Sequence, residues 1–135
     1  MIKIITITML FICGLMSAQN SKLTVAISGI KNNEGTIRVG LYNSDKAFLK
    51  TAYKSFSSEI KNNKALITFT GLPAGEYAVS VFHDENNNEK LDKNVMGIPS
   101  EDYAASNNAK GFMGPPSYAD AKFAVSKDSK IEITF

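Results

Sequence analysis

Four oxygen-bearing side chains, Asp84, Asn86, Asn88 and Asp92, fall within "HDENNNEKLD" (83–92). Three of them stand on alternate residues and the last lies four further on. Calcium is a hard cation that takes six to eight oxygens, and a loop supplies them alternately because the chain wraps around the ion. On that pattern Asp84, Asn86 and Asn88 take positions 1, 3 and 5, the Lys90 carbonyl takes position 7 and Asp92 takes position 9. Two positions depart from it. Glu89 stands at position 6, where glycine makes the sharp turn, and Val95 stands at position 12, where a bidentate glutamate closes the shell. Glu101 or Asp102 must then close it. With two sure carboxylates, affinity is expected at the weak end, about 10⁻⁴–10⁻³ M. The competing reading is an Asn-rich turn whose amides bond the local backbone. The spacing leaves both readings open.

His83 is the only histidine. By strand parity it follows Tyr77, Val79 and Val81, so it is expected as a buried structural residue bonded to the long loop. A small hydrolase or isomerase using His83 with Asp84 or Asp92 is the alternative. No serine or cysteine nucleophile pairs with a base, and zinc spacing is absent. Glu101 and Asp102 are adjacent, so on an extended chain they face opposite ways, which is poor geometry for acid–base work. The residues therefore favour a protein that is not an enzyme.

A second candidate surface is "SNNAKGFMGPP" (106–116) with its flanks. Tyr103, Phe112 and Tyr118 beside Asn107, Asn108 and Lys110 form an aromatic-polar set suited to a protein, a peptide or a glycan. The competing reading is that these aromatics fill the space under the loop.

These residues need a scaffold, and the chain alternates with period two to make one. Leu23, Val25 and Ile27 share one face, as do Ile37, Val39 and Leu41, then Ala65, Ile67 and Phe69, then Tyr77, Val79 and Val81. Phe123 and Val125, then Ile131, Ile133 and Phe135, continue the pattern. "YKSFSSEIK" (53–61) is a weaker seventh strand. Turn residues separate the strands at "KNNEG" (31–35), "KNN" (61–63), "GLPAG" (71–75) and "SKDS" (126–129). Ser44 caps a helical turn at 44–50, and Ser117 caps another with Asp120 three residues on. The expected fold is an all-β, seven-stranded antiparallel two-sheet sandwich with one long inserted loop, 83–120. Phe69, Val79, Val81 and Phe123 are expected in its core. A membrane barrel would need an even set of longer strands with aromatic girdles.

The first residues lie outside this fold. Lys3 precedes an apolar run from Ile4 to Met16, then Ser17 and Ala18. That order predicts a signal peptide over 1–18, export to the periplasm or beyond, and one domain over 19–135. Lipidation at Cys13 would need a small residue before it, and Ile12 is bulky. Cys13 is the only cysteine, so the exported domain would carry no disulfide. Removing Lys3 leaves 14 basic against 13 acidic residues, scattered, with Arg38 the sole arginine. That distribution excludes a nucleic-acid surface, which needs clustered cations to neutralise phosphates. The N-terminal run is too short for a bilayer span of roughly 20 residues.

"GLPAGEYAVSVFHDENNNEKLD" (71–92) and "GIPSEDYAASNNAKGFMGPPSYADAKF" (97–123) resemble an uncharacterised family of exported bacterial proteins, domain of unknown function 2141. "GLPAGEY" (71–77) also looks like the strand-turn signature of transthyretin-like and carboxypeptidase-regulatory-like modules. The resemblance implies an exported, Ig-like or transthyretin-like sandwich and no established activity. The expected function is thus an exported non-catalytic binding or structural module, its long loop a candidate for stabilisation by calcium.

Overall fold

The computed structural model describes residues 20–135. The expected signal segment, 1–18, lies outside the described residues. Eight strands form two sheets: β1 (Ser21–Ser28), β2 (Thr36–Tyr42), β3 (Lys54–Ser58), β4 (Ala65–Leu72), β5 (Gly75–Asp84), β6 (Tyr103–Ala105), β7 (Phe123–Val125) and β8 (Ser129–Thr134). One sheet runs β4–β1–β8. The other runs β3–β2–β5, with β6 and β7 both on the far edge of β5. The architecture is all-β and sandwich-like, with almost no helix. Among the described residues no helix is long and apolar enough to cross a membrane.

The period-two faces meet in a single core. Leu23, Val25, Ile37, Leu41, Phe69 and Val79 are sealed from solvent, and Ile27, Val39 and Val81 nearly so. Burying such a side chain contributes about 1.5–3 kcal/mol. Phe123 is a correction. It sits on the three-residue edge strand β7 and is only half-buried, packed against the core from outside.

Two further expectations change. The strand count is eight, because Tyr103–Ala105 pairs with β5 inside the long connection. "YAA" is too short to alternate and gives no periodic signal. Pairing is antiparallel except between β1 and β8, which run parallel. A parallel pair needs a long crossover, and here the whole intervening chain supplies it. The alternation also persists further than expected. β5 runs through His83 to Asp84, so the long connection starts at Glu85.

Local chemistry anchors that connection. Ser106 fills the gap between β6 and β7 on the edge of β5. Its Oγ accepts the Val79 N–H at 2.9 Å and donates to the Ala121 carbonyl, substituting for a missing strand. Ser117 caps a one-turn helix, α1 (Tyr118–Ala121), by accepting the Asp120 N–H at 3.2 Å. Ser44 accepts the Ala47 N–H in the turn after β2.

Candidate functional site

Asp84 ends β5 and is wholly buried. Its Oδ2 accepts Arg38 Nε at 2.7 Å and the Glu89 N–H at 2.9 Å, and its Oδ1 accepts the Asn88 N–H at 3.2 Å. Burial pushes its carboxyl up. Arg38 and the two N–H donors together outweigh that, so the group stays below the ordinary aspartate range. Glu89 adopts φ +66°, the left-handed conformation for which the loop pattern wants glycine. Its carboxylate lies 3.6 Å from Arg38 Nη2.

The other members converge on Asp92. Asn86 Nδ2 donates to Asp92 Oδ2 at 2.7 Å, and Asn88 Nδ2 donates to Oδ1 at 2.6 Å. The amide oxygens of Asn86 and Asn88 accept the N–H groups of Asn88 and Lys90. Glu101, buried although 16 residues beyond Glu85, closes the loop. Its two oxygens accept the Glu85 and Asp92 N–H groups at 2.8 and 2.9 Å.

As placed, Asn86, Asn88, Asp92 and Glu101 direct their polar groups back into the loop. Among the described residues no three His, Cys, Asp or Glu side chains gather to hold a metal ion. Asp92, Asn86 and Asn88 share one centre, but a half-turn of either amide would break the bond its oxygen accepts from the Asn88 or Lys90 N–H. A calcium ion there would have to displace those turn bonds. Asp84 stands apart, because Arg38 already neutralises it; it holds the loop from behind. The Lys90 side chain is exposed, and its N–H is tied into the turn.

His83 has no accessible surface. Its Nε2 lies 2.6 Å from the Glu34 carbonyl, which can only accept, so Nε2 carries the proton. The ring is therefore bonded to the β1–β2 turn. The long connection meets its backbone instead, the His83 N–H donating to Asp102 at 2.9 Å. Nδ1 has no partner among the described residues and lies 3.9 Å from Glu85 Oε1. Glu85 pairs with Lys31 at 3.0 Å.

The aromatic-polar set divides. Tyr118 is interior, in a small cluster with Tyr42 and Phe48. Burial, with Glu76 adding to it, pushes its phenol up to about 12. Asn107 Nδ2 holds the carbonyls of Asp120 and Lys122, and Asn108 Oδ1 accepts the Thr134 N–H at 3.1 Å. Both asparagines are spent on structure. Tyr103 is 42% exposed, and Phe112 and Met113 are each 94% exposed. Beside them lies a cleft of about 300 Å³, walled by β6 and the end of β8, with Lys110, Gly111 and Gly114 on its rim. Gly111 is packed so tightly that a Cβ would sit 2.2 Å from the Gly114 and Pro115 carbonyls.

Sequence reasoning misses Arg38 and Ser106. Arg38 is legible only as a lone arginine on the outward parity of a strand. Ser106 gives no signal, because its partners are distant backbone groups.

Fold and site together define a small all-β module whose one long connection carries most of its exposed large apolar side chains. The chain belongs to a bacterial family described as uncharacterised and conserved, domain of unknown function 2141, which matches residues 25–134. No curated protein and no solved structure matches the chain. The transthyretin-like likeness therefore rests on "GLPAGEY" (71–77) alone.

Proposed function

We propose that this protein is an exported, non-catalytic binding module whose long connection is its binding face. One observation carries the reading. Residues 111–114 are folded tightly, with Gly111 against two carbonyls and Met113 at φ +54°, yet the outcome is to hold Phe112 and Met113 in solvent beside the cleft. A left-handed non-glycine residue costs roughly 1–2 kcal/mol. Holding two large apolar side chains in water adds to that cost, and a partner that covers them offsets both.

Calcium is a separable part of the proposal. Asn86, Asn88 and Asp92 would hold the ion and stiffen the start of the connection. The hydrolase or isomerase reading gains no support, since His83 is enclosed and Asp84 is paired with Arg38.

Binding is tested on peptide and glycan arrays with wild type and the Phe112→Ser, Met113→Ser double variant. The reading expects ligands that the variant loses. Arrays on which wild type and variant behave alike would sink it. Export is tested by the intact mass of protein recovered outside the cytoplasm, expected to lack residues 1–18.

A further inference from the structure

The long connection contains a short repeat. "KNVMGIP" (93–99) and "KGFMGPP" (110–116) both carry lysine first, an apolar residue third, methionine fourth, glycine fifth and proline seventh. Each copy forms an exposed apolar tip. Val95 is 104% exposed and Met96 80%, matching Phe112 and Met113 at the same places in the second copy.

Both tips are built. In the first, the Asn94 side-chain oxygen accepts the Met96 and Ile98 N–H groups at 2.9 and 3.1 Å. The Asn94 N–H donates to the Ile98 carbonyl, and Gly97, at φ +77°, donates its N–H to the Asn94 carbonyl. Below them Lys93 bridges to Pro99 and the Ser100 N–H donates to Asp92, so the tip stands on a two-stranded stem. In the second, Gly111 is packed against Gly114 and Pro115, and the two prolines remove two N–H groups.

The tips rise from one end of the sandwich. Thr36 opens β2 beside Asp84, where β5 ends, and Ser28 closes β1 beside Thr134, where β8 ends. The turn 29–35 joins Ser28 to Thr36 and so brings those two ends together. The first tip follows β5 through the Asp84 loop. The second flanks the cleft that the end of β8 walls.

Protein partners take apolar anchors into closely fitted pockets. Side chains as exposed as these have few neighbours of their own to complete such a fit. A bilayer interface accepts protruding apolar groups singly, and it requires that backbone polar groups arrive satisfied, as in the first tip. Lys93 and Lys110 are exposed, each two residues before an apolar pair, where an ammonium can reach phosphate while its stem lies on the apolar layer. Neither copy contains an acidic residue. At the foot of the first tip the Asp92 carboxylate is taken by the Asn86 and Asn88 amides, and that of Glu101 by two N–H groups.

We propose that the two tips insert together into the headgroup layer of a phospholipid surface, with Lys93 and Lys110 on the phosphates. This goes beyond the binding-face reading, whose arrays present soluble ligands.

The protein for the test is residues 19–135, which hold both sheets and the whole core, because the apolar run 4–16 would enter lipid by itself. The probe is vesicles of phosphatidylglycerol and phosphatidylethanolamine. The chain has no tryptophan, so Val95→Trp and Phe112→Trp each report on one tip. Both should shift to the blue on vesicles and be quenched by lipid brominated on its acyl chains. Leu66→Trp, exposed on β4, should do neither. In flotation, the Val95→Ser, Met96→Ser and the Phe112→Ser, Met113→Ser variants should each lose vesicle binding about tenfold or more. The Lys93→Glu, Lys110→Glu variant should also bind more weakly. Melting temperatures confirm that each variant still folds. No vesicle binding by wild type, or binding that survives either serine variant, overturns the proposal. So does a blue shift at only one tip, or at Leu66→Trp. If vesicles fail while the arrays yield ligands that the Phe112→Ser, Met113→Ser variant loses, the soluble-ligand reading stands and lipid insertion falls. Vesicle binding with silent arrays gives the reverse.

Discussion

Arg38 Nε and Asp84 Oδ2 lie 2.7 Å apart across neighbouring strands, the carboxylate fully buried and the guanidinium about one-quarter exposed. The same carboxylate holds two backbone N–H groups of the following loop. Arg38→Met should therefore leave a buried charge with only its two backbone N–H partners. The expected cost is at least about 2 kcal/mol, below the fully buried range because Arg38 keeps some solvent. Chemical denaturation measures it. A change under about 0.5 kcal/mol would show that the pair contributes nothing net.

Acid should act through the same carboxylate. Its folded pKa is depressed, so its contribution is complete above the unfolded value of about 3.9 and is lost as pH falls through the lower folded value. Asp84→Asn should be less stable than wild type at neutral pH, and the gap should close below about pH 4. Melts from pH 7 to pH 2 test this, and a gap that stays constant with pH refutes it.

Gly35 has φ +70°, and a Cβ there would lie 2.0 Å from the Asp84 carbonyl. The turn before β2 is thus pressed against the end of β5. Gly35→Ala should cost about 2 kcal/mol or more, from left-handed strain and a clash with backbone that cannot swing aside. Full stability in that variant would mean that the turn moves freely.

Ser106→Ala should strand the Val79 N–H and the Ala121 carbonyl, costing about 1–3 kcal/mol. Phe69→Ala, which empties the core, should cost about 3–5 kcal/mol, and Phe123→Ala clearly less, since Phe123 is only half-buried. Equal losses at Phe69 and Phe123 would contradict the layering.

Calcium at 100 times its dissociation constant should stabilise the fold by about 2.7 kcal/mol. Asp92→Ala should abolish the gain, and Glu89→Gly should enlarge it by relieving the left-handed turn. Magnesium, which demands a tighter octahedron, should do little. Identical melts in chelator and in about 10–100 mM calcium, 100 times the expected constant, would leave 84–92 a self-bonded polar turn.

The strands were legible because each long one buries a single face, and period two follows directly from that. β6 was not, because its three residues owe their conformation to the β5 edge rather than to their own pattern. The loop members Asp84, Asn86, Asn88 and Asp92 were legible as a set, but their division was not. Arg38 reaches Asp84 from a strand 46 residues away, and no local spacing encodes that. Tyr118 looked like surface beside polar neighbours, yet Phe48, from the turn after β2, encloses it.

The parallel pairing of β1 and β8 has a mechanical consequence. Leu23 sits beside Ser129 and Ser28 beside Thr134, so both strands begin at one end of the sheet and finish at the other. Tension applied ahead of Ser21 and beyond Phe135 pulls them in opposite senses along their length. Every bond between them is then loaded together rather than opened in turn. Force spectroscopy should find a high rupture force that Ala26→Pro, which removes one of those bonds, lowers sharply; a variant that ruptures at the wild-type force would exclude the shear geometry. A domain tethered through both ends would hold under load in a way that its modest size does not suggest.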